Sequence, residues 1–221
     1  MHGQMFFRNA FSADQQEVVR EATFALIGLG GTGGFMLENL LRMGAERFVV
    51  FDHDRFELSN FNRQLLATRS SLDWQKTEAA LARAREINPA VRMSLRGGFG
   101  PRSSVAGASA ILDGSDNVEA RLAASRLAGK KRIPYVFCSA SGSRGMVSVF
   151  RGYGFRRAFQ MRGSAPVRAR RPVLCPAAAL AGTLAASQAV NCLLGRPFVR
   201  APDALSFDVF SKRVFWRVKL G

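Results

Sequence analysis

Cysteine and histidine are scarce in this chain of 221 residues, which contains three cysteines and two histidines. The cysteines, Cys138, Cys175 and Cys192, form no closely spaced pair and therefore no disulfide framework. A structural zinc site needs four ligands at short spacing, and His2 and His53 do not complete one. We therefore expect a fold without disulfides or zinc, and free thiols are typical of a reducing cytoplasm.

Long hydrophobic runs are also missing, with one exception that we interpret as a buried helix. Residues 174–194 are largely apolar and have the length of a membrane span. They contain Pro176, Gln188 and Asn191, and alanine outnumbers leucine, which favours a helix packed against a sheet. The first eleven residues lack the apolar stretch of a targeting segment. We expect a soluble, cytoplasmic protein with no membrane partner.

Acidic residues are absent from residues 120–202, which carry 15 Lys and Arg and account for most of the net charge of +16. One interpretation is a solvated face in an arginine-rich protein. The other is a surface for an acidic partner: a phosphorylated small molecule, an acidic carrier-protein tail or RNA. The planar guanidinium group favours recognition of carboxylate and phosphate. The densest group of arginines comprises Arg151, Arg156, Arg157, Arg162, Arg168, Arg170 and Arg171.

Apolar runs alternate with helical patterns along the whole chain, without repeats or a linker. This alternation predicts one α/β domain with a doubly wound, mostly parallel mixed sheet and antiparallel strands at the C-terminal end. Residues 151–172 are rich in glycine and arginine without periodicity, which predicts a binding loop or lid. The predicted helices are 13–20, 32–43, 70–88, 116–129 and 176–194, and the predicted strands are 23–28, 47–51, 91–95, 109–113, 134–139, 144–150, 204–209 and 213–218.

A glycine cluster follows the first predicted strand. Gly28, Gly30 and Gly33 have the Gly-x-Gly-x-x-Gly spacing of a dinucleotide fold, and Gly31 adds a further residue without a side chain. The pattern places backbone N–H groups and a helix N-terminus where an anionic phosphate binds. Asp52 ends the second predicted strand, where an acid that accepts hydrogen bonds from ribose hydroxyls is expected.

Further charged residues favour chemistry at a phosphate. Arg63 and Lys76 add two cations, and Asp116 follows a strand, where a carboxylate can hold Mg²⁺. In-line displacement at phosphorus needs such cations, whereas hydride transfer does not. Plain alternatives exist: Asp52 as a turn acid, the two cations as solvated charges, and Asp116 as an N-cap of the helix that follows.

Taken together, these residues resemble the ThiF/MoeB/HesA adenylyltransferases, relatives of the ubiquitin-activating E1 adenylation domain. The resemblance covers residues 5–150 well and residues 176–218 weakly. It is carried by the segments Gly28-Leu-Gly-Gly-Thr-Gly-Gly34, Asp52-His-Asp54, Ser59-Asn-x-x-Arg-Gln64, Lys76, Ile87-Asn-Pro89 and Asp113-Gly-Ser-Asp-Asn117.

The resemblance implies a single E1-like ATP-binding adenylation domain over residues 1–221, with ATP and Mg²⁺ as cofactors. Asp52 would bind the ribose, and Asn60, Arg63 and Lys76 would bind the phosphates, the two cations also serving catalysis. Asp116 would be the magnesium-linked acid that adenylation requires.

Family members work as homodimers, in which an arginine just before the first helix reaches the partner's ATP. Arg8 occupies that position here, so the resemblance implies a catalytic role for Arg8 in a second subunit. An ordinary surface role is the alternative.

The chain departs from the family pattern in two ways. Residues 151–172 contain no cysteine, although relatives often carry a nucleophilic cysteine in this crossover loop, and the zinc cysteines are missing. The chain therefore resembles a short form of the family. Cys175, at the end of the loop and ahead of a helix, is either a reactive thiol or a packing residue.

The resemblance predicts that the protein activates a carboxylate as an acyl-adenylate and releases pyrophosphate. The substrate is either a small-molecule acid, as in HcgE-type cofactor biosynthesis, or the C-terminal Gly-Gly of a ubiquitin-like sulfur carrier. The missing cysteine and the arginine-rich loop favour a small or phosphorylated acid. A tRNA-modifying relative that activates a carboxylate on a nucleoside, and an NAD(P)-binding dehydrogenase, are the alternatives.

Overall fold

The structure, a computed structural model, describes residues 5–161 and 172–221. An eight-stranded sheet forms its centre, with strand order β3-β2-β1-β4-β5-β6-β7-β8. Strands β1 to β5 are parallel and β5 to β8 are paired antiparallel, which confirms the predicted mixed sheet. The strands are β1 Thr23–Ile27, β2 Arg47–Phe51, β3 Arg92–Arg96, β4 Ala110–Asp113, β5 Tyr135–Ser141, β6 Arg144–Phe150, β7 Asp203–Asp208 and β8 Phe215–Lys219.

Helices cover both faces of the sheet, and each face has its own buried apolar cluster. Among the described residues, four helices pack on one face and two on the other, as is typical of a doubly wound fold. The first group comprises α1 Ala13–Glu21, α2 Gly33–Arg42, α3 Lys76–Ile87 and α6 Cys175–Leu193, and the second comprises α4 Val118–Lys131 and α5 Phe155–Ala158.

Small residues let α6 approach α2 closely. A Cβ atom on Gly182 would overlap the Thr32 carbonyl oxygen, so the two helices touch through their backbones. The contact lies near residues 28–33, which we call the glycine turn. The alanine-rich face of α6 is buried, as predicted for residues 176–194. In the part of the chain that the structure describes, no helix is long and apolar enough to cross a membrane.

Most predicted boundaries lie within two residues of the observed ones, and the start of α3 is wrong by six residues. The helix predicted from residue 70 begins only at Lys76, because Arg69–Ser71 forms a separate 3₁₀ turn and Asp73 adopts a left-handed conformation with φ of 65°. The helix predicted from residue 116 begins at Val118. The predicted loop 151–172 contains the short helix α5, while residues 162–171 lie outside the described part of the chain.

Candidate functional site

The glycine turn lies where the strand order reverses, between β1 and β4, which is the usual ligand-binding position of such sheets. Gly28 has a φ of 81°, a conformation that glycine adopts without strain, and its N–H donates to the Phe51 carbonyl at 2.7 Å. A Cβ atom on Gly33 would overlap the Gly28 carbonyl oxygen, so α2 can start here only with glycine. Among the described residues, no side chain caps the first turn of α2, where the Gly34 N–H donates to the Gly30 carbonyl at 3.2 Å. A helix N-terminus of this kind favours an anion.

Asp52 joins the end of β2 to the glycine turn. One carboxylate oxygen accepts a hydrogen bond from the Leu29 N–H at 2.7 Å, and the other accepts from the Asp54 N–H at 2.9 Å. Because both oxygens have a backbone donor, the carboxylate has a fixed orientation. Each oxygen retains a second lone pair for a further donor.

The segment Ser59–Gln64 folds against the same turn. Asn60 is buried, and its side-chain oxygen accepts from the Glu57 N–H at 3.2 Å. Arg63 donates to the Ser59 carbonyl at 2.9 Å, and its Cγ lies 3.6 Å from where a Cβ on Gly31 would stand. Gln64 packs beside Gly30, and its buried side-chain oxygen has no hydrogen-bond partner within the described ranges.

Lys76, the first residue of α3, is almost fully buried beside Asp52-His-Asp54. Its ammonium group lies 2.8 Å from the Asp54 carboxylate and 5.9 Å from the centre of the Phe56 ring. Asp52, His53 and Asp54 bring three possible ligand atoms within 4.8 Å of one another. Because Lys76 already neutralises Asp54, we assign no metal to this group.

Asp116 lies in the loop between β4 and α4, on the other side of the glycine turn. Gly114 presses the loop against the turn: a Cβ on Gly114 would lie 2.9 Å from the Thr32 hydroxyl oxygen. The N-cap alternative for Asp116 is wrong, because Asn117 caps α4 by accepting from the Glu119 N–H at 2.8 Å. Asp116 itself is exposed, and no residue described here donates a hydrogen bond to its carboxylate.

The sequence analysis assigned no role to three residues beneath this loop: Asp113, Arg121 and Tyr135. Asp113 is fully buried and accepts from the Tyr135 hydroxyl at 2.6 Å. Arg121 donates two hydrogen bonds to the Ser115 carbonyl, at 2.6 and 3.2 Å. The acid at the end of an apolar strand was the only available signal, since the partners come from other elements.

Arg8 is not part of this group within one chain. It is exposed in the turn before α1, and the neighbouring Asn9 donates to the carbonyl of Arg42, the last residue of α2. The glycine turn stands at the opposite end of α2, about 15 Å away for a helix of ten residues.

Cys175 is the exposed thiol near the site, whereas Cys138, whose Sγ donates to the Asp113 carbonyl at 3.6 Å, is buried. Cys175 lies at the start of α6, and Ala178, one turn on, contacts the glycine turn. Burial raises the pKa of the Cys138 thiol to about 12, and burial also raises the pKa of Cys192. Neither buried thiol is suited to act as a nucleophile.

A cavity of 340 Å³ opens beside Asp52 at the carboxyl ends of β2 and β3. Phe51 and Arg96 end those two strands, and Gly98 and Ser103 belong to the loop that closes the cavity.

The fold and this arrangement define a doubly wound α/β protein with a glycine turn at its switch point. A model of the ThiF family matches residues 2–220, and the chain belongs to that family. The predicted resemblance to ThiF/MoeB-type adenylyltransferases is therefore confirmed.

Named relatives cover the chain to different extents. A sulfur carrier protein adenylyltransferase of Thermus thermophilus is 30% identical over 225 residues, which cover 94% of this chain and 82% of the relative. A tRNA threonylcarbamoyladenosine dehydratase of Bacillus subtilis is 36% identical over 86 residues, or 38% of this chain and 34% of the relative. The match thus spans about a third of the length of that dehydratase.

A solved structure shows the same fold. The Escherichia coli tRNA N6-threonylcarbamoyladenosine dehydratase in complex with ATP superimposes with a TM-score of 0.74 over 87% of this chain and 95% of that chain. The two sequences are 20% identical, so this likeness concerns the fold alone.

Proposed function

We propose that this protein is an ATP- and Mg²⁺-dependent adenylyltransferase that activates a carboxylate as an acyl-adenylate. The observation that carries the proposal is the meeting of the glycine turn with Asp52 on one side and Asp116 on the other. The Leu29 N–H to Asp52 hydrogen bond and the contact of Gly114 with Thr32 set this arrangement. It provides an anion site, an acid for ribose and an exposed acid for a metal around one cleft.

The proposal implies one orientation for ATP. The base enters the cavity beside Phe51, the ribose hydroxyls donate to Asp52, and the phosphates lie over the glycine turn and the N-terminus of α2. The phosphates then bind to Asn60, Arg63 and Lys76. For this, Arg63 and Lys76 must exchange their present partners for phosphate oxygens.

The residues present also fit a magnesium ion. Mg²⁺ binds through one or two carboxylates together with water and phosphate oxygens, and Asp116 offers an exposed carboxylate beside the glycine turn. When bound, the ion would neutralise part of the negative charge on the phosphates.

The reaction is an in-line displacement. A carboxylate oxygen of the substrate attacks the α-phosphorus of ATP, the bond from that phosphorus to the bridging oxygen breaks, and pyrophosphate leaves with the electron pair. Arg63 and Lys76 stabilise the charge that develops on the phosphate oxygens, and removing one such group typically costs on the order of 10²–10³ in rate.

We propose a small-molecule or phosphorylated acid as the substrate, with the Gly-Gly terminus of a ubiquitin-like carrier as the other candidate. The absence of cysteine from residues 151–172 supports this preference, because no thiol is available in that loop to receive an acyl group from a carrier.

A tRNA nucleoside carboxylate is a second candidate, supported by the charge distribution. On α1 to α3, Arg20, Arg42 and Arg83 form ion pairs with glutamates. On α4, the exposed residues Lys130 and Lys131 make no ion pair with any described residue. Salt-dependent tRNA binding would support this candidate, since phosphate contacts release counterions.

We further propose a cytoplasmic homodimer in which Arg8 of one subunit contacts ATP in the other. Arg8 and the adjacent Phe7 are exposed, and Phe7 is 83% exposed. The position of Arg8 at the far end of α2 supports a role in a second chain rather than its own.

Thermal shift and pyrophosphate exchange test the proposal. We expect ATP·Mg²⁺ to raise the unfolding temperature more than NAD(H) does, because a ligand that binds only the folded state stabilises it. A panel of carboxylates and carrier proteins then identifies the substrate by ATP–pyrophosphate exchange. Asp116→Asn should abolish exchange while ATP still binds. Stabilisation by NAD(H) alone, or full exchange in the Asp116→Asn variant, would contradict the proposal.

A further inference from the structure

The loop Gly114–Asn117 is held from below by a buried acid. One Asp113 oxygen accepts from both the N–H and the hydroxyl of Ser115, at 2.8 and 2.7 Å, and the other accepts from the Tyr135 hydroxyl at 2.6 Å. Asp113 and Tyr135 have 0% and 1% of their surface exposed. The contact joins the last residue of β4 to the first residue of β5 and ties the loop to both strands.

Tyr135 is built to remain a donor in this contact. Its ring packs against Phe150 and Phe155 at centroid distances of 5.7 and 6.0 Å, which fixes the direction of the hydroxyl. Burial and the neighbouring Asp113 carboxylate raise the pKa of Tyr135 well above its ordinary value. The hydroxyl therefore keeps its proton and holds the carboxylate in place.

Arg121 holds the loop from the side of α4. Its Nε and Nη2 atoms both donate to the Ser115 carbonyl, at 3.2 and 2.6 Å, and its guanidinium carbon lies 5.0 Å from the centre of the Phe137 ring. A planar fork that stacks on an aromatic ring has little freedom to turn. Lysine has a single nitrogen and no plane, and cannot reproduce this geometry.

The loop is thus held at every residue except one. Gly114 presses on the glycine turn, Ser115 is bound by Asp113 and Arg121, and Asn117 caps α4. Asp116 alone presents its side chain to solvent without a partner among the described residues.

We propose that Arg121, Asp113 and Tyr135 are positioning residues for adenylation: they fix the loop that carries Asp116 beside the glycine turn. This inference rests on the proposed function, because the role of Asp116 in adenylation is part of that proposal. A catalytic carboxylate displaced by about 1 Å costs on the order of 10² in rate, so a rigid loop has a direct effect on turnover.

The first experiment compares Arg121→Ala with Arg126→Ala. Both arginines belong to α4, but within the described ranges the Arg126 guanidinium donates only to the Leu122 carbonyl in its own helix, so Arg126 is the matched control. We expect Arg121→Ala to lower kcat for ATP–pyrophosphate exchange on the order of 10²-fold. It should also raise the Mg²⁺ concentration needed for half-maximal rate, while the KM for ATP changes less than threefold. Arg126→Ala should behave as the wild type.

Added guanidinium ion provides a readout that loss of folding would not give. Guanidinium chloride at tens of millimolar, below denaturing concentrations, should restore part of the kcat of Arg121→Ala and leave Arg126→Ala unchanged. Tyr135→Phe, which keeps the ring and removes the hydroxyl, should lower kcat in the same direction and should not respond to guanidinium. Wild-type kcat and magnesium dependence in both variants would overturn the inference, as would a loss in Arg121→Ala without any rescue.

Hydrogen exchange separates this inference from the proposed function. The Ser115 N–H, which donates to Asp113, should exchange at least tenfold faster in Arg121→Ala and Tyr135→Phe than in the wild type. If no carboxylate supports ATP–pyrophosphate exchange by the wild type but the Ser115 N–H still exchanges faster in the variants, the adenylation proposal fails and the positioning of the loop stands. Unchanged amide protection in both variants overturns the positioning role whatever the activity.

Discussion

The ammonium group of Lys76 lies 2.8 Å from the carboxylate of Asp54, and the two partners differ sharply in exposure. Lys76 is 5% exposed, whereas the Asp54 side chain is 44% exposed. A buried cation is costly unless it is paired, while a half-exposed carboxylate is well solvated without its partner. An unpaired Lys76 therefore costs more free energy than an unpaired Asp54.

This asymmetry predicts opposite outcomes for the two partners. Asp54→Asn should lower the free energy of unfolding by about 1–3 kcal/mol, because it leaves a buried charge without its anion. Lys76→Met should cost less than 1 kcal/mol in stability, on the order of a well-packed substitution, yet reduce ATP–pyrophosphate exchange on the order of 10²-fold or more. Urea unfolding and exchange assays on both variants provide the test, and a larger stability loss in Lys76→Met would contradict it.

Alanine substitutions at two glycines of the turn should have different effects, one on stability and the other on ATP binding. Gly33→Ala places a Cβ on the Gly28 carbonyl oxygen and should destabilise the protein by about 1–3 kcal/mol. Gly30→Ala meets nothing nearer than Gln64 at 3.8 Å and should fold normally, but its methyl group enters the proposed phosphate site.

Calorimetry and ATP titration distinguish the two glycine variants. Gly33→Ala should unfold at a lower temperature, whereas Gly30→Ala should keep its unfolding temperature and bind ATP at least tenfold more weakly. Tight ATP binding by Gly30→Ala would place the phosphates elsewhere.

Acid stability should depend on Glu38. Burial raises the pKa of this carboxyl, but hydrogen bonds from Arg83 and Arg42 outweigh burial and lower the pKa below its ordinary value. A lowered folded-state pKa gives stability that is present above the unfolded-state pKa and is lost as pH falls through the folded-state value. Glu38→Gln should therefore lower the unfolding temperature by about 2–4 °C at neutral pH, and the difference should vanish in strong acid, below about pH 3.

Glu86→Gln is the control for that comparison. Glu86 also pairs with Arg83, at 3.2 Å, but its side chain is 69% exposed, and an exposed pair contributes little. An equal effect of the two variants across the pH range would show that Glu38 has no special role.

The thiols should react very differently in the native protein. Cys175 is exposed, whereas Cys138 and Cys192 are buried and have a raised pKa. With a water-soluble disulfide reagent near pH 8, we expect one rapidly reacting thiol per chain, and Cys175→Ser should remove it. Rapid modification of Cys138 in the folded protein would contradict the described core.

Much of the fold was predictable from local pattern. The glycine spacing and the apolar strands on either side of it indicate the β1–α2–β2 unit, because a turn that needs φ of 81° and tolerates no Cβ selects glycine wherever it occurs. The start of α3 was not predictable in this way. A helical pattern continues through residues 70–75, but Asp73 in a left-handed conformation breaks it, and that conformation depends on the hydrogen bond of its N–H to the Phe56 carbonyl.

The candidate site was likewise predictable only in part. Asp52 and Asp116 stand at strand ends, where parallel strands bring their following residues to one edge of the sheet, so both were found from the sequence. Asp113 also ends a strand, yet nothing local marks it as the buried support of the loop. Its partner Tyr135 is 22 residues away and meets it only through the register of β4 and β5.

By itself, the sequence determined the class of fold, the family, the glycine turn and the acids that flank it, because each depends on spacing along the chain or on the conformational freedom of one residue. Only the tertiary structure decided which charges are paired and which acid is left exposed. Lys76 meets Asp54, Arg121 takes the Ser115 carbonyl and Asp116 remains without a partner among the described residues. Side-chain partners follow from strand register, helix packing and burial, and these arise only when the whole sheet has formed.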